Sequence, residues 1–177
     1  MRKLTMEELN RLRPEEFAKT EKIPVVVVLD NVRSMYNVGA VFRTCDAFRV
    51  KKLVLCGITA CPPHREIHKT ALGAENTVSW EYFSETRLAL MQIREEVDLI
   101  VGVEQTDNAI VISGFDVDIQ SSYAIIFGNE ASGLSDDILG MLDICLEIPQ
   151  FGTKHSLNIS VAAGIVLYHF GMRFIEA

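Results

Sequence analysis

The chain of 177 residues is 49% hydrophobic and 23% charged, a balance typical of one globular domain and not of a disordered segment. Its net charge of −7 argues against a protein that coats nucleic acid without preference, because such proteins are usually basic. Met1 is not followed by a leader sequence, and no apolar run is long enough to span a bilayer, so we expect no membrane anchor.

Residues 1–20 are polar and have a helical pattern, which predicts a short N-terminal helical appendage to a single domain over residues 21–177. Within that domain, short apolar runs alternate with helical patterns. Such runs predict strands that are covered on both faces of a parallel sheet. The predicted strands are 25–29, 52–58, 99–103 and 124–127, with a shorter candidate at 146–148.

Helices are predicted between these strands. Apolar residues recur at helical spacing at Val38, Val41, Phe42, Cys45 and Phe48. A partly exposed helix is predicted over 88–96, and Ser135 suits the N-cap of a short helix. The alternation of strands and helices predicts an α/β fold, with a mostly parallel sheet and helices on both faces.

Positive charge is concentrated in residues 31–70, which hold seven Lys or Arg and two acidic residues, a net charge of +5. Residues 71–177 carry a net charge of −12. The basic segment is therefore polarised toward phosphate, although an ordinary solvated surface explains the same pattern equally well.

The four cysteines show no paired spacing, which predicts reduced thiols and a cytoplasmic protein. Cys61 could join His64 and His68 as metal ligands. No second cluster completes a four-ligand site, so we predict no metal centre.

The segment 37–43 opens a helix directly after a loop, and a helix N-terminus offers free N–H groups to an anion. Arg43 lies off the apolar stripe, between the small residues Ala40 and Ala47. These neighbours leave space for a bidentate partner such as phosphate. A helix cap followed by a surface arginine is the alternative explanation.

Two later segments also follow predicted strands. Segment 127–134 is a glycine-bracketed loop containing Glu130, at the kind of position where open α/β sheets bind ligands. Its glycine spacing fits neither the dinucleotide-binding nor the P-loop pattern. In segment 148–160, the polar residues Ser156, Asn158 and Ser160 recur at every second position, beyond what one helix cap requires.

The sequence from residue 159 to residue 168 is apolar almost all round, which predicts a helix buried on more than one side. A single chain of this size rarely encloses its last helix so fully, so we expect a dimer interface there. The small residues Ala162, Ala163 and Gly164 would allow close approach.

Taken in order, the stretches LDNVRSMYNVGAVFRTCDAFRV, IIFGNEASGLS and IPQFGTKHSLNISVAAG resemble the SpoU (TrmH-type) family of RNA ribose 2′-O-methyltransferases, in the SPOUT superfamily of α/β-knot enzymes. HKTALGA and GVEQT also look like family positions. The resemblance implies a SPOUT methyltransferase domain over 21–177 with a C-terminal trefoil knot. It also implies S-adenosylmethionine as cofactor and a homodimer through the knot helix.

The resemblance further implies site residues. The catalytic set would be Asn37, Arg43, Glu130, Ser156 and Asn158. S-adenosylmethionine would be held by Glu104, Gln105, Thr106, Phe127, Gly128, Asn129, Ile148, Gln150, Ser156 and Leu157. We expect RNA to be bound by Arg33, Arg43, Arg65, Lys69 and Lys154. Because a guanidinium stays protonated at neutral pH, orienting phosphate and ribose suits Arg43 better than acting as a base.

The expected activity is methyl transfer to a ribose 2′-hydroxyl, on a small tRNA element in preference to ribosomal RNA. A catalytically silent knotted RNA-binding module is the main alternative, and the joint presence of Arg43, Glu130, Ser156 and Asn158 speaks against it. A base methyltransferase of the same superfamily would lack the asparagine–arginine segment. A nucleotide-binding oxidoreductase would need a G-x-G-x-x-G motif, which the sequence lacks.

Overall fold

The computed structural model describes residues 1–5 and 7–176. Seven strands in these residues form one sheet, and every pairing between neighbouring strands is parallel. In chain order they are β1 (Ile23–Asp30), β2 (Val50–Cys56), β3 (Trp80–Phe83), β4 (Leu99–Val103), β5 (Ile110–Val111), β6 (Tyr123–Phe127) and β7 (Ile144–Glu147). The predicted α/β fold with a mostly parallel sheet is confirmed.

The order of the strands across the sheet is β3-β2-β1-β6-β4-β7-β5. β6 therefore lies between β1 and β4 although it follows β4 along the chain, and the connections cross over repeatedly in this half of the sheet. The C-terminal trefoil knot itself stays a prediction.

Six α-helices occur in the described part of the chain. They are α1 (Pro14–Lys19), α2 (Met35–Ala47), α3 (Arg65–Ala71), α4 (Thr86–Ile93), α5 (Asp136–Leu139) and α6 (Ile159–Ile175). Among the residues that the structure describes, no helix combines the length and the apolar character needed to cross a bilayer. The predicted N-terminal helix is found only over α1, and the division of the chain at residue 20 stays a prediction.

β1 separates two hydrophobic cores, because its side chains alternate between the two faces of the sheet. Val25, Val27 and Leu29 pack in the core that contains the buried faces of α2 and α6. Val26 and Val28 pack in the core that contains α4. The prediction of helices on both faces of the sheet is therefore confirmed.

Several boundaries differ from the prediction. β2 ends at Cys56 and not at residue 58, because Gly57 takes a φ of +62° and turns the chain out of the strand. β7 likewise begins at Ile144, before the expected residue 146. Ser135 is the N-cap of α5 by position, but its side chain accepts no hydrogen bond from the backbone N–H groups of the helix. Its hydroxyl donates instead to the Asp137 carboxylate, 2.6 Å away.

α6 is longer than predicted, and its two faces differ in burial. One face is buried in the core through Ala163, Val166, Leu167 and Phe170. The other face is apolar but exposed: Val161, Ile165 and Tyr168 are 49%, 38% and 59% exposed. Burial on more than one side is therefore not reached within one chain.

Candidate functional site

The carboxyl ends of β4, β6 and β7 lie side by side, because these strands are parallel neighbours. The three loops that follow them, 104–109, 128–135 and 148–158, close around a cavity of about 290 Å³. Ligands bind at this edge in open α/β sheets. The cavity is therefore the candidate ligand site.

Most residues expected to hold the cofactor line this cavity. They are Glu104, Gln105, Phe127, Gly128, Asn129, Ile148, Gln150, Ser156 and Leu157. Thr106 does not line it, since its hydroxyl turns to the Asn108 side chain at 3.1 Å. The wall also includes Glu147 and His155, which the sequence analysis did not name. Both lie in or beside the third segment, and this position was the one indication in the sequence that they belong to the site.

The loop after β6 is folded back tightly on itself. A Cβ at Gly128 would lie 2.4 Å from the carbonyl carbon of Gly133, closer than real contacts allow. The Asn129 side chain accepts hydrogen bonds from the backbone N–H groups of Ala131 and Ser132, both at 2.9 Å. These contacts keep the backbone of this loop against the cavity.

Glu104 connects the loop after β4 to the loop after β6. Its Oε2 accepts a hydrogen bond from the backbone N–H of Leu134 at 3.0 Å, and its Oε1 accepts one from Gln105 at 2.9 Å. Gln105 in turn donates from Nε2 to the carbonyl of His155 at 2.9 Å. The three loops around the cavity are therefore joined by direct hydrogen bonds.

Three predicted catalytic residues form a hydrogen-bonded chain beside the cavity. Asn37, in the first turn of α2, donates from Nδ2 to Oε1 of Glu130 at 2.9 Å. Its Oδ1 accepts from Nδ2 of Asn158 at 3.2 Å. Asn158 is also the N-cap of α6, because its Oδ1 accepts from the backbone N–H of Ser160 at 2.9 Å. The structure thus joins all three sequence segments at one point.

The charge of the cavity wall is negative. Glu104, Glu130 and Glu147 line it, and no Lys or Arg is among its lining residues in the described part of the chain. A carboxylate-rich wall favours a ligand that carries positive charge over one that carries phosphates. Burial raises the pKa of the neighbouring Cys145 thiol, which argues against a thiolate nucleophile here.

The loop before α2 is supported by buried polar residues that sequence reasoning missed. Asp30 is 4% exposed and accepts hydrogen bonds from the Thr86 hydroxyl and, at 2.8 Å, from Nδ2 of Asn31. The buried Thr59 hydroxyl accepts from Val32 N at 2.9 Å. The sequence does show that Asp30 follows a buried strand directly. A buried carboxylate at such a position needs hydrogen-bond partners, which is the indication that could have revealed this network.

Comparison with known proteins identifies the family. A profile of the SpoU rRNA Methylase family matches residues 24–168. The chain belongs to this family. The match includes all three segments and the whole cavity wall.

The match to this SpoU chain covers different shares of the length of its named relatives. The 23S rRNA (guanosine-2'-O-)-methyltransferase RlmB of Neisseria meningitidis is 31% identical over 146 residues, which are 81% of this chain and 56% of that protein. The tRNA (guanosine(18)-2'-O)-methyltransferase of Thermus thermophilus is 29% identical over 170 residues, 96% of this chain and 86% of that protein. The chain therefore spans little more than half of the first relative and most of the second.

Solved structures agree with this assignment. The TrmH/SpoU tRNA modifying enzyme of Aquifex aeolicus superposes with a TM-score of 0.79 at 27% identity, over 92% of this chain and 81% of that one. An AdoMet-bound rRNA methyltransferase from Sinorhizobium meliloti superposes with a TM-score of 0.78 at 24% identity, over 89% of this chain and 59% of that one. The second likeness concerns the fold alone.

Arg43 is the predicted catalytic residue that the structure does not bring to the cavity. It is exposed on α2 and is absent from the cavity wall. Six residues separate it from Asn37, which in an α-helix is a rotation of about 240° and a rise of about 9 Å. Within the described residues, its guanidinium makes no hydrogen bond or ion pair, so it is free to bind an external anion.

The other residues expected to bind RNA lie on the surface. Arg33, Arg65 and Lys154 are exposed and have no ion-pair partner among the residues described here, whereas Lys69 pairs with Glu66 at 2.7 Å. Part of the charge of residues 31–70 is also neutralised, because Lys52 contacts two glutamates on neighbouring elements. The basic surface is therefore carried by a few exposed arginines and lysines that have no ion-pair partner among the described residues.

Proposed function

We propose that this SpoU chain transfers a methyl group from S-adenosylmethionine to a ribose 2′-hydroxyl of RNA. The observation that carries the proposal is the joining of Asn37, Glu130 and Asn158 beside a cavity at the carboxyl edge of the sheet, in a chain of this family. Two curated relatives, from N. meningitidis and T. thermophilus, are named as guanosine 2′-O-methyltransferases, which supports the same reaction here.

The cavity wall fits S-adenosylmethionine in shape and charge. Its volume of about 290 Å³ is close to the lower end of small-ligand sites, near 300 Å³. Ile148 and Leu157 offer partly exposed apolar surface suited to the faces of an adenosine, while Gln105 and Asn129 offer polar groups. The sulfonium and ammonium groups of the cofactor are cationic and suit a wall that contains carboxylates and no Lys or Arg in the described residues.

In the proposed mechanism, S-adenosylmethionine held by the cavity wall would supply a methyl group on its sulfonium. Transfer to the ribose oxygen would form the O–CH3 bond and break the S–CH3 bond, leaving S-adenosylhomocysteine, while the hydroxyl proton would leave along its hydrogen bond to Glu130. Asn37 holds Glu130 through one carboxylate oxygen and Asn158 through its own amide oxygen. The second oxygen of Glu130 makes no hydrogen bond within the described residues, so we assign it to accept one from the ribose hydroxyl. Alignment of this kind can supply several kcal/mol of rate enhancement.

We assign Arg43 to the phosphate beside the reacting ribose. Its planar guanidinium presents a pair of donors that match two phosphate oxygens, and Ala40 and Ala47 leave its approach open. The exposed Arg33 and Arg65 would extend the same basic surface along the RNA. Arg43 would thereby orient the ribose and would not act as the base.

We propose tRNA as the substrate in preference to ribosomal RNA. The tRNA-modifying relative from T. thermophilus matches this chain over 86% of its own length, and the rRNA-modifying relative from N. meningitidis over 56%. The chain thus resembles the tRNA enzyme along nearly its full extent. All four cysteines are free thiols, which supports a reducing compartment such as the cytoplasm.

We also propose that two copies associate through α6. Its exposed apolar face, formed by Val161, Ile165 and Tyr168, lies opposite the face buried in the core. A Cβ at Gly164 would meet no atom within 4 Å, so this part of the helix is open to close approach. The same face of a second copy would cover these side chains. The helix α6 would then be buried on more than one side, as the sequence predicts.

The deciding experiment incubates the protein with radiolabelled S-adenosylmethionine and, separately, with unmodified tRNA and unmodified ribosomal RNA. Digestion to nucleosides should place the label in a 2′-O-methylnucleoside from tRNA. Label on a base would contradict ribose methylation. Absence of both cofactor binding and methyl transfer to either RNA would favour the silent RNA-binding module.

The division of labour between Arg43 and the cavity gives the first mutational prediction. Arg43→Ala should lower methyl transfer by about 100-fold or more, because the phosphate and ribose lose their alignment. Its affinity for S-adenosylmethionine should equal that of the wild type, because Arg43 does not line the cavity. The matched control is Arg87→Ala, an exposed arginine on α4 at the opposite face of the sheet. Joint loss of binding and transfer in Arg43→Ala would refute this assignment.

A further inference from the structure

Tyr36 is an exposed aromatic residue directly beside the candidate site. It is the second residue of α2, immediately before Asn37, and it is 50% exposed. Its backbone carbonyl accepts a hydrogen bond from the Thr70 hydroxyl at 3.0 Å, which ties the start of α2 to the end of α3. No part of the cavity network uses its ring.

The ring of Tyr36 lies beside a charged residue of α3. Nζ of Lys69 lies 5.9 Å from the ring centroid and 2.7 Å from Oε1 of Glu66. The bond to Lys69 lowers the pKa of the Glu66 carboxyl. Lys69 therefore lies near both the Tyr36 ring and the Glu66 carboxylate, and α3 borders the ring on one side.

Tyr36 and Arg43 lie on the same face of α2. Seven residues separate them, which in an α-helix leaves an offset of about 20° and a distance of about 10 Å along the axis. The residue between them on this face is Ala40, whose small side chain leaves the surface open. Arg65, exposed at the start of α3, adds a further cation near Lys69.

Exposed aromatic rings beside free cations are the usual means of binding single-stranded RNA. Unpaired bases stack on aromatic side chains, while Lys and Arg bind the phosphates on either side. The distance of about 10 Å along α2 from Tyr36 to Arg43 equals about three nucleotides at the ~3.4 Å spacing of a helical strand, and fewer in an extended strand. A base on Tyr36 would therefore be a near neighbour of the ribose oriented by Arg43.

We propose that Tyr36, exposed at the start of α2 beside Lys69 of α3, is a stacking platform for an unpaired nucleobase next to the methylated nucleotide of the RNA substrate. This inference rests on the proposed function and makes it more specific. The stacked base is unpaired, because a base paired within a duplex cannot reach the ring. The methylated nucleotide beside it therefore lies in a loop or another unstacked element.

The test measures the affinity of the whole protein for an unmodified tRNA transcript at several salt concentrations. Tyr36→Ala should weaken binding by about fivefold or more, the effect of losing one stacked base. Tyr36→Phe keeps the ring and should bind nearly as the wild type does, whereas Tyr36→Leu should resemble Tyr36→Ala. The slope of affinity against salt should not change in Tyr36→Ala and should fall in Arg65→Ala, because of these two residues only the unpaired Arg65 displaces counterions.

Tyr82→Ala is the matched control, because Tyr82 is 49% exposed, lies on β3 at the sheet edge and donates its hydroxyl to Gly57. It should leave RNA affinity unchanged. Equal affinities for wild type and Tyr36→Ala, or equal losses in Tyr36→Ala and Tyr82→Ala, would overturn the platform, as would a wild type that binds no tRNA. The transfer assay is separate: tRNA binding that depends on Tyr36, without methyl transfer, would reject the proposed function and keep the platform.

Discussion

Gly133 lies where a side chain would meet the carboxylate that joins two loops of the cavity. Its φ of +65° is in the left-handed region, and a Cβ there would lie 2.0 Å from Oε2 of Glu104. The same oxygen holds the backbone N–H of Leu134 at 3.0 Å. A side chain at position 133 would therefore break the link between the loops after β4 and β6.

We expect Gly133→Ala to lower the affinity for S-adenosylmethionine by about tenfold, the effect of losing one or two hydrogen bonds. The left-handed backbone should also cost about 1–2 kcal/mol of folding free energy. Titration calorimetry and urea unfolding measure the two effects. Gly114→Ala is the control, because a Cβ at Gly114 meets nothing within 4 Å. Wild-type cofactor affinity in Gly133→Ala would show that the Glu104 link does not shape the site.

At this scale, the sequence indicated candidate residues that lie at or beside the cavity, but not the contacts between them. Asn37, Glu130 and Asn158 each stood out within a segment, and the resemblance gave them a role. Their hydrogen bonds join residues 93 and 121 positions apart, and no local pattern encodes such pairs. The same limit explains Thr106, which lies in a family-like stretch but faces away from the cavity.

At the scale of elements, Asp30 shows how the end of one strand controls the start of a helix. It lies at the end of β1, is buried, and is contacted by Thr86 from the first turn of α4. Its second partner, Asn31, has a φ of +55° and accepts from Ile58 N at 3.1 Å. Asp30 thus fixes the loop that leads into α2 and Asn37.

Thr86→Val should destabilise the protein by about 1–3 kcal/mol, because it removes a hydrogen-bond donor from a buried carboxylate without changing the side-chain shape. Urea unfolding measures the loss. Thr44→Val is the matched control, since the Thr44 hydroxyl bonds only to the Ala40 carbonyl within α2 at 3.0 Å, and such intrahelical bonds contribute little. If both variants lose the same stability, Asp30 does not depend on Thr86.

The elements that sequence reasoning found are those that bury the most surface. β1 and β6 are apolar runs buried along almost their full length, and α2 has a regular buried stripe. The elements it missed bury little: both residues of β5 are exposed, and α3 has seven residues with only Ile67 and Ala71 buried. Edge strands and short helices show no strong hydrophobic periodicity, so they cannot be predicted from the pattern of apolar residues.

At the scale of the whole molecule, the order of the strands could not be read from the sequence. Apolar runs predict a parallel sheet, but they do not predict that β6 inserts between β1 and β4. This insertion is what brings β4, β6 and β7 together around the cavity.

The net charge of −7, taken alone, does not indicate where a charged ligand binds. The carboxylates line the cavity while the free arginines lie on α2, α3 and the adjoining loops, so two ligands of opposite charge have separate places.

Association of two copies through α6 can be tested by changing the exposed apolar face of this helix. Ile165→Glu would bury a carboxylate at the centre of a two-fold α6 contact, at a cost of several kcal/mol. We expect the wild type to sediment at twice the chain mass of 19.8 kDa and Ile165→Glu at that mass itself. Leu88→Glu, on an exposed position of α4, should leave the dimer intact. A monomeric wild type, or a dimeric Ile165→Glu, would remove α6 from the interface and leave its apolar face to another partner.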